Sequence, residues 1–151
     1  MAKKICVGLI GFGTVGTGVV KILKKNAALI RQRVGAPVEL KLIADLDIKS
    51  DRGIPVPKKM LTTSAAALLS DPEIDIVLEL IGGIDPARSF ILKALAGGKH
   101  VVTANKALLS EHGHELFRAA AQANVDIAFE ASVGGGIPII RAVQEGFASD
   151  R

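Results

Sequence analysis

Three glycines, at Gly11, Gly13 and Gly16 in the stretch "GFGTVG", stand at a spacing that brings bare backbone against a phosphate. The stretch follows the apolar run 5–10 and precedes a helically patterned segment, so it occupies a turn between a buried strand and a helix. Each glycine then has its own task. Gly11 makes the tight turn, Gly13 lets the main chain approach a pyrophosphate, and Gly16 lets helix and strand pack closely. Free N–H groups and the positive end of the helix dipole face the phosphates, which points to a dinucleotide.

Which dinucleotide is read from Asp45, at the end of the second apolar run in "LIADLD". A carboxylate there accepts hydrogen bonds from both ribose hydroxyls and repels a 2′-phosphate, favouring NAD over NADP. The interval from Gly16 is longer than the usual one of about 20 residues, and Lys49 and Arg52 follow closely enough to accommodate a phosphate. Both cofactors therefore stay open. In "HVVTANKALL", Thr103, Ala104, Asn105 and Lys106 reach the edge where a doubly wound sheet holds its ligand. Lys106 also stands near a helix start, where a cation opposes the dipole, and such a broken local rule marks a functional candidate. An ammonium there can donate a proton to a carbonyl oxygen. No comparable case exists for Ser132, which lacks a nucleophile-elbow pattern, or for His100, His112 and His114, which are expected to be structural.

The elements that must position these residues are legible as short apolar runs at 5–10, 38–44, 60–62, 74–81, 100–104 and 125–129, with helical patterns between them. This alternation predicts an α/β fold: a Rossmann-type, doubly wound, mostly parallel sheet of about six strands with helices on both faces. The run 74–81 is apolar on both faces apart from Asp75 and Glu79, so it should be central. A first helix is expected to bury Val15, Val19, Ile22, Leu23, Ile30 and Val34 and to stop at Gly35 and Pro37. Later helices are expected at 64–69, 86–96 and about 110–123, with a last one starting near Pro138. The domain boundaries that follow are 1–137 for dinucleotide binding and 138–151 for a helix leading elsewhere.

Composition excludes several function classes. The net charge is +4, but the basic residues are dispersed, and no Trp or Tyr supplies a stacking platform. Nucleic acid is not an expected partner. No apolar run approaches the length of a membrane span, the N-terminus lacks a cleavage pattern, and the single Cys6 fits a reducing compartment as a core residue. A cytoplasmic location is expected, with no membrane partner.

Taken together, "GLIGFGTVGTGV", "VVTANKALL" and "FEASVGGGIPII" resemble the N-terminal part of homoserine dehydrogenases over essentially the whole chain. That resemblance implies NAD(P)-dependent interconversion of L-homoserine and L-aspartate 4-semialdehyde, on the way to threonine and methionine. It implies cofactor contacts from Phe12, Gly13, Thr14, Val15, Thr103 and Lys106, and places Lys106 as one of two catalytic lysines. It further implies a monovalent cation, in this family usually sodium, at Glu130, Val133, Gly135 and Ile137, where a glycine-containing turn can direct carbonyl oxygens inward. The family's second lysine, its substrate carboxylates and most of its dimer interface lie beyond this sequence. The chain alone is thus expected to bind cofactor without turnover, and to self-associate through apolar surface near 137–147, whereas the longer protein is expected to be a homo-oligomer. Two other readings stay open here: a different dehydrogenase with the same cofactor half, and a non-catalytic NAD-sensing module.

Overall fold

A computed structural model describes residues 4–146. Six strands, β1 (Ile5–Ile10), β2 (Val38–Ala44), β3 (Leu61–Thr62), β4 (Ile76–Glu79), β5 (His100–Thr103) and β6 (Ile127–Ala128), form one sheet in the order β3-β2-β1-β4-β5-β6. Every pairing is parallel. The α/β doubly wound architecture expected from the alternation of runs is the one observed, with β4 central between β1 and β5. From β1 the chain winds outward to β3, then returns to β4 and winds the other way. The order therefore reverses between β1 and β4, which opens a crevice at the carboxyl ends of those two strands.

Helices cover the sheet unevenly. Helices α1 (Thr14–Lys25) and α2 (Ala27–Val34) connect β1 to β2, and a small core of Leu9, Phe12, Val20 and Ile43 lies beneath them. Helices α3 (Ala65–Leu69), α4 (Ala87–Ala96) and α5 (Lys106–Ala123) build the larger core, which includes Leu68, Ile91, Leu95, Leu108 and Leu116 against Val77 and Val101. Two short helices follow, α6 (Glu130–Val133) and α7 (Ile139–Gly146). Cys6 is a buried core residue, as its place in the first run implies.

The first helix departs from the expected one. It breaks at Asn26 into α1 and α2, and its buried residues are Gly16, Thr17 and Val20. Val15, Ile22 and Val34, assigned to the core face by spacing, are more than half exposed. The reason is Gly16: its lack of a side chain draws that edge of the helix onto β1, and the face is rotated to suit the close approach. Gly35 ends α2 in the left-handed conformation, as expected from its position. Helix α5 begins at Lys106, a full turn earlier than the apolar pattern suggested, because Asn105 caps it.

Polar side chains tie the larger core at both ends. Lys99, buried at the start of β5, donates from Nζ to the carbonyls of Asp71 (2.6 Å) and Ile74 (3.0 Å), closing the turn before β4. Arg88 on α4 grips Glu115 on α5 with two hydrogen bonds of 2.7 and 2.5 Å, and this partner holds the Glu115 carboxyl below its usual range. Both side chains remain substantially exposed, so solvent screens the pair and it adds little to stability.

Candidate functional site

At the crevice the glycine turn has the geometry that its three glycines predict, with one position for each task. Gly11 has φ +102°, and a Cβ there would lie 2.7 Å from the Leu80 carbonyl oxygen. A Cβ on Gly16 would lie 2.0 Å from the Gly11 carbonyl oxygen. Gly13 is different: its φ is −72°, and a Cβ would meet nothing within 4 Å. Gly11 and Gly16 are thus required by the protein itself. Gly13, Thr14 and Val15 face outward and exposed at the start of α1, with open space over bare backbone of the kind a pyrophosphate occupies.

Asp45 is brought to this turn directly. Its Oδ2 accepts from the backbone N–H of Phe12 at 2.5 Å, and its Oδ1 accepts from the N–H of Asp47 at 2.8 Å. A carboxylate has about four lone-pair sites, so two remain for ribose hydroxyls. Arg52 approaches the same carboxylate, with Nη2 4.0 Å from Oδ1, and its guanidinium lies 6.0 Å from the Phe12 ring centre. Arg52 is held there by Asp47, through the carbonyl and the carboxylate, each at 3.1 Å. Its Nε is buried without a hydrogen-bond partner.

Hydrogen bonds from the Ser50 hydroxyl, then from the N–H groups of Ser50 and Lys49, lower the Asp47 carboxyl from its ordinary 3.8 to about 2. A depressed carboxyl stabilises the fold above its unfolded value and loses that contribution as pH falls through its folded value. The 45–53 loop is therefore expected to loosen between about pH 4 and 2. Protection of the Lys49 and Ser50 amides relative to their intrinsic exchange should fall in that window, ahead of global unfolding; unchanged protection would contradict this role for Asp47.

A cavity of about 340 Å³ opens on the glycine turn itself, lined by Gly13, Thr14, Thr17, Lys21 and Arg52, and two more lie nearby. One, of about 350 Å³, is lined mainly by apolar residues including Ile10, Ala44, Leu46, Ile81 and Phe90, with Asp45 at its edge. The other, of about 240 Å³, lies over the ends of β4 and β5 and is lined by Val15, Glu79, Leu80, Gly82, Ala104 and Asn105. An apolar slot on one side of a phosphate turn and a second pocket on the other match the two halves of a dinucleotide.

Beneath the cavity over β4 and β5 runs a closed ring of hydrogen bonds. Glu79 accepts from the Thr103 hydroxyl at 2.7 Å and from the N–H groups of Ile81 (2.9 Å) and Gly82 (3.3 Å). The N–H of Asn105 donates to the Thr103 hydroxyl at 3.0 Å, and its Nδ2 donates to the Gly83 carbonyl at 2.6 Å. Asn105 Oδ1 accepts from Leu108 N–H at 3.1 Å, which caps α5. Thr103 is wholly buried, with its hydroxyl engaged by Glu79 and its carbonyl by Ser132. Lys106 is the first residue of α5 and is exposed at the crevice rim.

The turn after β6 is tied to the same region, since the Ser132 hydroxyl donates to the Thr103 carbonyl at 2.9 Å. Glu130 uses its carboxylate on the N–H groups of Ile140 (2.9 Å) and Arg141 (3.2 Å), and its carbonyl accepts from Gly134 at 3.3 Å. A Cβ on Gly134 would lie 2.9 Å from the Ile137 carbonyl oxygen, so the glycine lets the turn curl inward. Among the described residues no group of three or more His, Cys, Asp and Glu side chains could hold a metal ion. Any cation at Glu130, Val133, Gly135 and Ile137 would depend on carbonyl oxygens.

The spacing of residues thus located Gly11–Gly16, Asp45 and Lys106, and the structure gathers them at one sheet edge. The ring that joins Glu79, Thr103 and Asn105 was not read from the sequence. The signal that could have found it was a charge in an otherwise apolar central strand.

Residues 11–130 match the family described as homoserine dehydrogenase, NAD binding domain. Among curated relatives, homoserine dehydrogenase of Bacillus subtilis is 46% identical over 149 residues, and that of Pseudomonas aeruginosa is 44% identical over 151. Both alignments cover 99% of this chain and 34% of the relative, so the chain spans about a third of those proteins' length. A crystal structure of a homoserine dehydrogenase from Thiobacillus denitrificans superposes with a TM-score of 0.90 at 45% identity, covering 99% of this chain and 34% of that one. A hyperthermophilic archaeal homoserine dehydrogenase in complex with NADPH superposes at 0.76 with 25% identity, covering 95% and 49%. No helix among the described residues is long and apolar enough to cross a membrane. The chain belongs to the homoserine dehydrogenase family and corresponds to its NAD-binding domain.

Proposed function

We propose that this chain binds the nicotinamide cofactor for the oxidoreductase that interconverts L-homoserine and L-aspartate 4-semialdehyde, in a longer, homo-oligomeric cytoplasmic protein. The observation that carries the cofactor reading is the contrast within the glycine turn. Gly11 and Gly16 are filled by the chain's own atoms, while the space over Gly13 is open, in a cavity of about 340 Å³ that Thr14, Thr17, Lys21 and Arg52 also line. Residues 1–137 are the dinucleotide-binding domain, and 138–151, of which 147–151 lie outside the described residues, would lead towards the part that holds substrate and most of the oligomer contacts. Helix α7 has no buried residue, and Ile139 and Val143 are exposed on it, which suits a further partner surface.

When bound, the nicotinamide ring would supply hydride transfer. Gly11, Phe12, Gly13, Thr14, Val15 and Gly16 would hold the pyrophosphate at the start of α1, with Thr103 at the end of β5 beside the nicotinamide and Asp45 on the adenosine ribose. Lys106, at the rim over β5, would hold and move the proton at the substrate oxygen, with the remaining substrate contacts coming from outside this chain. The chain alone would bind cofactor and show no turnover. A monovalent cation such as sodium is proposed at Glu130, Val133, Gly135 and Ile137, where main-chain carbonyl oxygens would be its ligands and it would stiffen the exit towards 138–151.

NAD is favoured over NADP, because the free lone pairs of Asp45 would meet a 2′-phosphate as like charges. Calorimetric titration with each cofactor tests this. NAD should bind at least tenfold more tightly, and Asp45→Asn should erase most of that margin. Tighter NADP binding by the unaltered chain would overturn the assignment, with Arg52 then the residue that outweighs Asp45.

A further inference from the structure

We propose that the buried carboxylate of Glu79 gives the nicotinamide pocket its preference for the oxidised, cationic ring over the reduced, neutral one. This rests on the cofactor reading above. Glu79 has no exposed surface, yet it sits in the wall of the cavity over β4 and β5. Its three hydrogen-bond partners, the Thr103 hydroxyl and the N–H groups of Ile81 and Gly82, all donate, which is the set an ionised carboxylate accepts. The ring through Asn105 and Gly83 prevents the side chain from turning away.

The two redox forms of the cofactor share their adenosine, riboses and pyrophosphate and differ in charge only at the nicotinamide. A fixed negative charge beneath that ring therefore discriminates between them while leaving the rest of the binding energy alone. Water cannot reach Glu79 to screen it, and Val15, Leu80 and Ala104 beside it in the cavity wall are apolar. Lys106, the cation at the same edge, is exposed, so its opposing effect is weakened by solvent. Asp45 borders the apolar cavity and is engaged by Phe12 and Asp47. At an effective dielectric of about 20, the attraction is worth roughly tenfold in affinity at a separation of about 12 Å, and more if the ring lies closer.

The test is calorimetry of the 151-residue chain with NAD⁺, NADH and ADP-ribose, which lacks the nicotinamide. The unaltered chain should bind NAD⁺ at least as tightly as NADH. Glu79→Gln, close to isosteric but uncharged, should weaken NAD⁺ about tenfold and leave NADH and ADP-ribose within about twofold. Glu79→Asp, which keeps the charge, should keep the wild-type ratio. An equal loss for all three ligands in Glu79→Gln would show a merely structural role and overturn the proposal, as would an unchanged ratio. Should Glu79→Gln fail to fold, a tenfold preference of the unaltered chain for NADH still overturns it. Binding of neither redox form by the unaltered chain overturns the cofactor reading itself and this inference with it.

Discussion

Gly16→Ala is expected to destabilise the chain by about 3 kcal/mol or more, because the new methyl would sit 2.0 Å from the Gly11 carbonyl oxygen. Neither partner can move cheaply. Gly11 is pinned on its other side, where a Cβ would already meet the Leu80 carbonyl at 2.7 Å, and its N–H donates to the Ala44 carbonyl at 2.9 Å. Relief must come from α1 lifting off β1, which would open the small core at Val20 and Leu9. In a chain of this size that corresponds to a fall in melting temperature of roughly 6–12 °C, measurable by circular dichroism. A melting temperature within about 2 °C of the unaltered chain, on the order of the shift for under 1 kcal/mol, would show that the contact is not a real constraint.

Gly13→Ala should do the reverse. Its φ of −72° suits an L-residue and its Cβ would meet nothing within 4 Å, so fewer unfolded conformations are lost on folding. Stability should hold or rise by about 0.4–1 kcal/mol. Cofactor affinity should nevertheless drop by roughly ten- to a hundredfold, since the methyl occupies the place where the pyrophosphate lies against bare backbone. The paired outcome separates the two glycines by role, fold for one and ligand for the other. Undiminished NADH binding by folded Gly13→Ala would remove the observation on which the site assignment depends.

Those two glycines also mark how far the sequence can be read. The strands and the phosphate turn were legible because they depend on local patterns: apolar runs, glycine spacing, and caps such as Gly35. The buried face of α1 was not, since it is set by how closely Gly16 lets the helix approach β1, a contact that hydrophobic spacing does not encode. Thr103 was legible as a residue at the right edge, but the commitment of its hydroxyl to Glu79 depends on β4 and β5 lying side by side. The hydrogen bonding of Asn105 escapes a sequence reading for a related reason. Its side chain spans from α5 to the Gly83 loop, a link between segments far apart in sequence. Lys106 is legible because it breaks a local rule at a helix start, and the structure puts it at the first position of α5.

The proposed function requires that this chain hold a cofactor site by itself. Titration calorimetry of the 151-residue chain with NADH tests it most directly. The expected result is a single saturable site with one cofactor per chain and micromolar affinity, on the order of −8 kcal/mol. A flat titration up to millimolar NADH, with the chain shown to be folded, would contradict it.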